Sequence, residues 1–359
     1  MAFAATAQAW RIHLNYVGPY TADGIEKNLH LEEIPRPFVK KNQILVRMQA
    51  AALNYRDLLI ATADPRYQSD PVGDGLSPLC DGSGVVSAVD SEDSRWKVGD
   101  KVILASNTSW KAGLGQEALD HSLGLGTEKT NGLLQQYVVV EEDALAPLPT
   151  NLSYEEGACL AVPYGTAWNA LFGGPHILKQ GDTLVTQGTG GVSIATLQIA
   201  KATGARVIVL TTSEAKRGLL EKLDADHVVN SKTNPGWADE VISLTSGRGA
   251  DHVLEVIGAA SIKESLHAVR QAGLISLVGF LSPSEKHDII PDLVFGAKTI
   301  RGLMNGSLGM LQDMAEFIER KNIHPVIAEV YEWHDAKEAY KTMLKQSFVG
   351  KIVIKATVA

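Results

Sequence analysis

The sequence predicts an α/β protein in two parts, a β-rich first portion and a doubly wound parallel sheet after it. Three observations predict this. Short alternating strand candidates dominate residues 1–150, whereas strands and helices alternate from Ser153 onward. One strand-to-helix junction in that second stretch carries the run Val185-Thr186-Gln187-Gly188-Thr189-Gly190-Gly191-Val192-Ser193. A length of 359 residues also exceeds what one compact core usually holds, so two domains are expected.

In the first portion, strands are predicted at Ala7–Leu14, Gln43–Ala51, Gly84–Val89, Lys101–Leu104 and Leu134–Val140. Turn residues such as Ile34-Pro35-Arg36-Pro37 and Val98-Gly99-Asp100 separate them, which suits a mainly antiparallel, partly barrel-like domain. Residues Asn107–Asn131 are polar and glycine-rich and read as a long loop with a little helix at Gln116–Leu123. Tyr154–Phe172 reads as a helix broken near Pro163.

Strands are then predicted at Thr183–Thr186, Arg206–Leu210, His227–Val229, His252–Val256, Leu274–Val278 and Thr299–Leu303. The helices between them are Ile194–Ala202, Ala215–Leu223, Ala238–Thr245 and Ile262–Ala268. The tail carries helices at Met310–Lys321 and Asp335–Gln346 and a last strand at Lys351–Lys355, expected to rejoin the first domain. The predicted division is therefore 1–155 with 305–359, and 156–304.

An apolar strand, a glycine turn, a helix and a second apolar strand form the context in which glycines mark a dinucleotide site. Gly188 permits the tight turn, Gly190 lets the backbone approach a pyrophosphate, and the N-terminus of the following helix favours anions; Gly191 and Val192 of the same turn are further cofactor-binding candidates. Ser193 takes the place of the third glycine and is still small. The second strand ends at Thr211 where NAD-selective sites carry an acid. Thr212 and Ser213 offer hydroxyls, and Lys216 and Arg217 offer positive charge, so NADPH is expected over NAD. Glu214 turned inward would restore NAD.

The formal net charge of −8 argues against a nucleic-acid partner, and no apolar run approaches the ~18 residues of a membrane helix. No secretory signal is visible in Met1–Arg11. Cys80 and Cys159 are the only cysteines, too few for a disulfide framework or a four-cysteine zinc lobe, and a cytoplasmic setting is expected.

Several short motifs run through the chain in a fixed order: Asn54-Tyr55-Arg56-Asp57, Leu79-Cys80-Asp81-Gly82-Ser83-Gly84-Val85, Val98-Gly99-Asp100-Lys101-Val102, and Gly165-Thr166-Ala167-Trp168. Gly273-Leu274-Ile275, Val278-Gly279 and Gly350-Lys351-Ile352-Val353-Ile354 follow. In this order the chain resembles the medium-chain dehydrogenase/reductase superfamily over essentially its whole length. The resemblance implies a GroES-like β-rich catalytic domain beside a Rossmann domain. It also implies a dimer joined through the Rossmann sheet edge near Thr299–Leu303.

Where zinc-dependent alcohol dehydrogenases of that superfamily place their ligands, this chain has Asn54, Cys80 and a position near Val162. One cysteine does not supply the three ligands of a catalytic zinc, so the chain is similar to the zinc-independent quinone oxidoreductases and enoyl reductases. Leu53–Asp57 in particular resembles enoyl and acryloyl-thioester reductases, although members labelled zinc-type alcohol dehydrogenase-like share the general pattern. The resemblance adds Thr166, Asn230, Ile257, Gly258, Val278, Gly279, Val349, Gly350 and Lys351 to the cofactor-binding candidates.

The expected reaction is hydride transfer from NADPH, without zinc, to a small-molecule α,β-unsaturated carbonyl or quinone. Asn54 and Tyr55 are the catalytic candidates, as donors to an oxyanion and as a proton source. Asp57 is expected to cap a helix, and Cys80 and Asp81 to line the former metal position. Trp110, Tyr164, Phe280 and Met304 are candidate pocket walls. An alcohol or aldehyde dehydrogenase is the alternative within the superfamily, and a non-catalytic NADPH-binding sensor or structural protein the alternative of another class.

Overall fold

The structure, a computed structural model, describes residues 5–67, 72–113, 116–127 and 130–356. The chain opens with β1 (Thr6–Ile12), α1 (Ala22–Asn28), β2 (Leu29–Pro35), β3 (Gln43–Ala52), α2 (Tyr55–Ala61), β4 (Asp81–Val89), β5 (Lys101–Leu104), β6 (Tyr137–Glu141) and β7 (Leu145–Pro147). Helix α3 (Tyr154–Gly157), a π-turn at Leu160–Tyr164 and α4 (Gly165–Phe172) lead into the alternating stretch.

That stretch runs β8 (Thr183–Gln187), α5 (Gly191–Thr203), β9 (Arg206–Thr211), α6 (Arg217–Lys222), β10 (His227–Asn230), α7 (Trp237–Leu244), β11 (Ala250–Glu255), α8 (Ile262–Ala268), β12 (Val269–Leu277), α9 (Ile290–Gly296) and β13 (Thr299–Gly302). The tail adds α10 (Leu308–Lys321), β14 (Ile327–Tyr331), α11 (Ala336–Lys345) and β15 (Lys351–Lys355). Two compact units result, residues 1–165 with 306–359, and residues 166–305.

In the first unit β1 and β2 pair antiparallel, and a second sheet has the order β14-β15-β3-β4-β5-β7, with β6 also on β3. Ile44, Val46, Leu58, Trp333, Tyr340 and Ile352 are buried in its core. The register sets Ala52 of β3 opposite Asp81 of β4 on one side and Val353 of β15 on the other. Three segments distant in sequence therefore bring Asn54, Asp81 and Lys351 to the same end of the sheet.

The second unit is a parallel six-stranded sheet in the order β10-β9-β8-β11-β12-β13. Numbered within the unit, that order is the 3-2-1-4-5-6 of dinucleotide-binding sheets, whose direction reverses between β8 and β11. Ligands of such sheets bind beyond the strand ends at that reversal. Gly188 follows β8 there, with a φ of 76° that an L side chain tolerates poorly. Among the described residues, no helix is long and apolar enough to cross a membrane.

The structure departs from the sequence reading in places. The predicted helix at Gln116–Leu123 is one 3-10 turn, His121–Leu123. Strands β2, β7 and β14 are additional; β2 and β14 carry several polar residues and show little apolar alternation. The strand expected over Leu134–Val140 splits its partners: Gln135 bridges Ala9 of β1, and only Tyr137–Glu141 joins β3. Helix α9 begins at Ile290-Pro291, with proline in its first turn, and was not read from the sequence.

Candidate functional site

Two arrangements carry chemistry, one in each unit. In the second unit, β8 ends at buried Gln187, and α5 starts from Gly190, which brings no side-chain cap. A Cβ on Gly188 or Gly190 would meet nothing within 4 Å, so the space above the turn is open. An uncapped helix N-terminus beneath open space suits the pyrophosphate of a dinucleotide. Ser193 hydroxyl donates to the Gln187 carbonyl at 2.6 Å and ties the helix to the strand.

At the end of β9, Thr211 Oγ1 accepts from Ser213 N–H at 3.2 Å, while Thr212 is exposed. Lys216 Nζ donates to Thr189 Oγ1 at 2.9 Å, bringing its ammonium to the glycine turn. Burial lowers the Lys216 pKa. Arg217 is held differently: its guanidinium pairs with Glu214 and donates to the Val228 carbonyl at 2.8 Å. Glu214 is exposed, and Asn230 Nδ2 donates to it at 3.2 Å. The charge expected from Lys216 and Arg217 together therefore falls on Lys216, since a carboxylate already occupies Arg217. Asn230 is likewise turned to Glu214 and to the turn N–H groups of Lys232 and Thr233.

Sequence reasoning missed the residue that organises the neighbouring strand end. Glu255 is fully buried, and its Oε1 accepts from Ile257 N–H at 2.8 Å, Gly258 N–H at 2.9 Å and Ser261 hydroxyl at 2.6 Å. Its Oε2 accepts from Gln187 Nε2 at 2.8 Å and Ser265 hydroxyl at 2.5 Å. The N–H groups of Ile257 and Gly258 are thus held by Glu255. Glu255 standing between the apolar residues Leu254 and Val256 was the available signal. Gly279 is a glycine for a packing reason: a Cβ there would lie 2.2 Å from the Val256 carbonyl oxygen. Phe280 and Met304 are exposed in this unit, and Thr166 is buried.

In the first unit, α2 begins at Asn54, whose N–H donates to Asp57 Oδ2 at 2.7 Å, the cap expected of Asp57. Asp57 is buried, and desolvation raises its carboxyl to about 6 despite the nearby Arg56 guanidinium. Asp81, also buried, accepts from Val162 N–H at 2.7 Å, Asn54 Nδ2 at 2.9 Å and Lys351 Nζ at 3.0 Å. The Lys351 ammonium, 3% exposed, donates further to the Leu53 carbonyl at 2.5 Å and Asn54 Oδ1 at 2.7 Å.

All three Lys351 donors are used inside the unit. Asn54 Oδ1 faces Lys351 and Nδ2 faces Asp81, with Cys80 Sγ at 3.9 Å. Trp110, Tyr164 and Val349 are buried. Tyr55, half-buried, has its hydroxyl 3.1 Å from that of Tyr20, and burial with that contact pushes its phenol up to about 12.

A glycine turn at the reversal of a parallel sheet, with a separate β-rich unit, defines a dinucleotide-binding architecture. The comparisons name the family. Residues 40–150 match the alcohol dehydrogenase GroES-like domain, and residues 191–320 match the zinc-binding dehydrogenase domain. A zinc-type alcohol dehydrogenase-like protein of Schizosaccharomyces pombe is 36% identical over 328 residues, 90% of this chain and 93% of its own. An acryloyl-coenzyme A reductase of Sulfurisphaera tokodaii is 27% identical over 92% of this chain and 98% of its own. A crystal structure of an alcohol-dehydrogenase candidate from Sinorhizobium meliloti 1021 superposes with a TM-score of 0.88 at 34% identity, covering 99% and 100% of the two chains. The chain belongs to the medium-chain dehydrogenase/reductase superfamily of oxidoreductases.

The family domain implies a zinc ion, and the residues here do not suit one. Of the three positions, Asn54 and Val162 bring no thiolate, imidazole or carboxylate, and Cys80 alone cannot supply the three ligands of a catalytic zinc. The Asp81 carboxylate is saturated by three donors, one of them an ammonium that would repel a dication. Among the described residues, no three His, Cys, Asp or Glu side chains are grouped to hold a metal.

Proposed function

We propose that this chain is an NADPH-dependent reductase of activated C=C bonds, α,β-unsaturated carbonyls or quinones, working without zinc. The observation that carries the reading is the Lys351 ammonium locked between Asp81 and Asn54, in a donor set unsuited to a metal Lewis acid. Conjugated acceptors need the least polarisation, since hydride addition to the β-carbon is assisted by delocalisation into the carbonyl. The S. tokodaii relative named as an acryloyl-coenzyme A reductase supports the same substrate class. Lys216 beside Thr189 supports NADPH, because an ammonium at the glycine turn can meet a 2′-phosphate and Thr211 presents no carboxylate against it.

When bound, the reduced nicotinamide supplies the hydride. The α5 N-terminus holds the pyrophosphate, and Glu255 holds the Ile257-Gly258 turn in shape. Tyr55 keeps its proton at neutral pH, its phenol standing near 12, and delivers it to the enolate α-carbon. A homodimer suits the open edge at β13, flanked by α9 with Phe295 85% exposed and Val294 68% exposed. A light-scattering mass equal to one chain refutes that pairing.

The functional test follows nicotinamide absorbance with metal-stripped protein, NADPH or NADH, and a panel of enones, enals, acyl thioesters, quinones and simple ketones. Turnover of conjugated acceptors with NADPH is the expected result. Turnover of simple ketones that requires added zinc identifies an alcohol dehydrogenase instead. Cofactor binding without oxidation by any acceptor identifies a non-catalytic binder.

A further inference from the structure

We propose that Tyr20 positions Tyr55 and resupplies its proton, the two phenols forming a relay that ends at the substrate. The inference rests on the reading above, in which Tyr55 is the proton donor. Tyr20 comes from the segment before α1 and Tyr55 from the first residue of α2, so neither position suggests the other in the sequence. Their hydroxyls lie 3.1 Å apart, and the rings meet edge to face with centroids 5.9 Å apart at 84°. That geometry is favourable for aromatic pairs and holds both oxygens in register.

Tyr20 is itself clamped. Its N–H donates to Asp64 Oδ2 at 3.3 Å, and the Arg66 guanidinium lies 4.9 Å over its ring. Arg66 in turn chelates the buried Asp64, Nε to Oδ1 at 2.9 Å and Nη2 to Oδ2 at 2.6 Å. Backbone, ring face and hydroxyl of Tyr20 are each engaged, so the phenol presents one orientation to Tyr55. Tyr20 is half-buried and keeps access to water, whereas the hydrogen bond recorded for the Tyr55 hydroxyl within the chain is the one to Tyr20.

Hydride from the reduced dinucleotide forms a C–H bond at the β-carbon, the C=C π pair moves toward the carbonyl, and an enolate results. The α-carbon takes the Tyr55 proton, leaving a phenolate. Tyr20 donates its proton across the 3.1 Å contact and is reprotonated from water, so one hydride and one solvent proton are consumed. A hydrogen bond to a forming anion is the kind that contributes most, which sets the size of the effect.

The test compares Tyr20→Phe, Tyr55→Phe and the unaltered protein with an active acceptor. Tyr20→Phe keeps both rings, and kcat is expected to fall roughly ten- to a hundredfold. KM, the cofactor Kd and the melting temperature stay unchanged, and the solvent deuterium isotope effect on kcat rises because proton delivery becomes limiting. An unchanged kcat and isotope effect overturn the relay. A lowered melting temperature with an unchanged isotope effect also overturns it, leaving Tyr20 a packing residue. Wild-type turnover in Tyr55→Phe would show instead that the donor assignment itself is wrong, whatever Tyr20→Phe does.

Discussion

Replacing Lys351 by methionine is the most informative single perturbation of this molecule. Methionine fills nearly the same volume, so the change removes the ammonium while leaving packing largely intact. Asp81 then keeps only the Val162 N–H and the Asn54 amide, and its negative charge is left buried without a counter-ion. The Leu53 carbonyl and Asn54 Oδ1 lose their donor in the same step. Breaking a buried pair from one side costs about 3–5 kcal/mol, a large share of the 5–15 kcal/mol typical of a folded protein. The assay is urea unfolding followed by tryptophan fluorescence, since Trp10, Trp96, Trp110 and Trp333 report on this unit. Asp81→Asn completes a double-mutant cycle. The double variant buries no uncompensated charge, so it should recover about 2 kcal/mol or more relative to the sum of the singles. A loss below about 1 kcal/mol for Lys351→Met, or simple additivity in the cycle, refutes the buried pair.

Lys216→Ala should weaken NADPH about tenfold or more while leaving NADH nearly unchanged, and Arg217→Ala should change either by less than about twofold, as isothermal titration would read. Equal loss of both cofactors in Lys216→Ala removes the phosphate assignment. Glu255→Gln should cost about 2–4 kcal/mol and raise the cofactor Kd, because one carboxylate oxygen becomes an NH2 facing donors it used to accept from. An unchanged melting temperature counts against that network. Asp57 gives a pH signature. Its folded pKa, about 6, lies above the ordinary 3.8, so the fold retains a proton that the unfolded chain releases. Its contribution is therefore fully present below about pH 4 and is lost as pH rises through about 6, at most on the order of 3 kcal/mol. Melting temperatures of the unaltered protein and Asp57→Asn should diverge toward acid in favour of the unaltered protein, and a constant gap across pH 4–7 refutes this.

What could be read from the sequence was what local chemistry dictates. The glycine turn from Gly188 to Val192 declares itself because an αL glycine, a helix start and an apolar strand are contiguous. The Asp57 cap was legible for the same reason, its partner being three residues away. The Lys351 cluster was not, because residues 54, 81 and 351 meet only through the register of three neighbouring strands. Nothing local singled out Lys351 as buried, since the strand it opens, Lys351–Lys355, also closes on a lysine, which is not buried. The pairing of Arg217 was not read either: Glu214, three residues before it, was weighed for its effect on cofactor choice and not as the partner that holds Arg217. Strands β2 and β14 escaped because β-propensity is a weak guide at polar positions, and pairing partners decide.

The Lys351–Asp81 pair is overall neutral, and that has consequences for the chemistry. A catalytic zinc would present net positive charge to a substrate oxygen, whereas an ammonium hydrogen-bonded to a carboxylate presents almost none beyond a few ångströms. Its effect is to fix the Asn54 amide, and through the α2 N-terminus the first turn that carries Tyr55. On the proposed reading, the Tyr55 phenol and its clamped partner act in place of a polarising metal. A phenol near pKa 12 is a poor acid toward an unreacted ketone but a sufficient one toward an enolate carbon, which is far more basic. On the proposed reading, a neutralised metal position and a weak but positioned acid favour substrates in which the electron pair is accepted first and the proton arrives second. That sequence of events belongs to conjugated carbonyls and quinones and disfavours simple ketones, so the proposed substrate class rests on the electrostatics of residues 54, 55, 81 and 351.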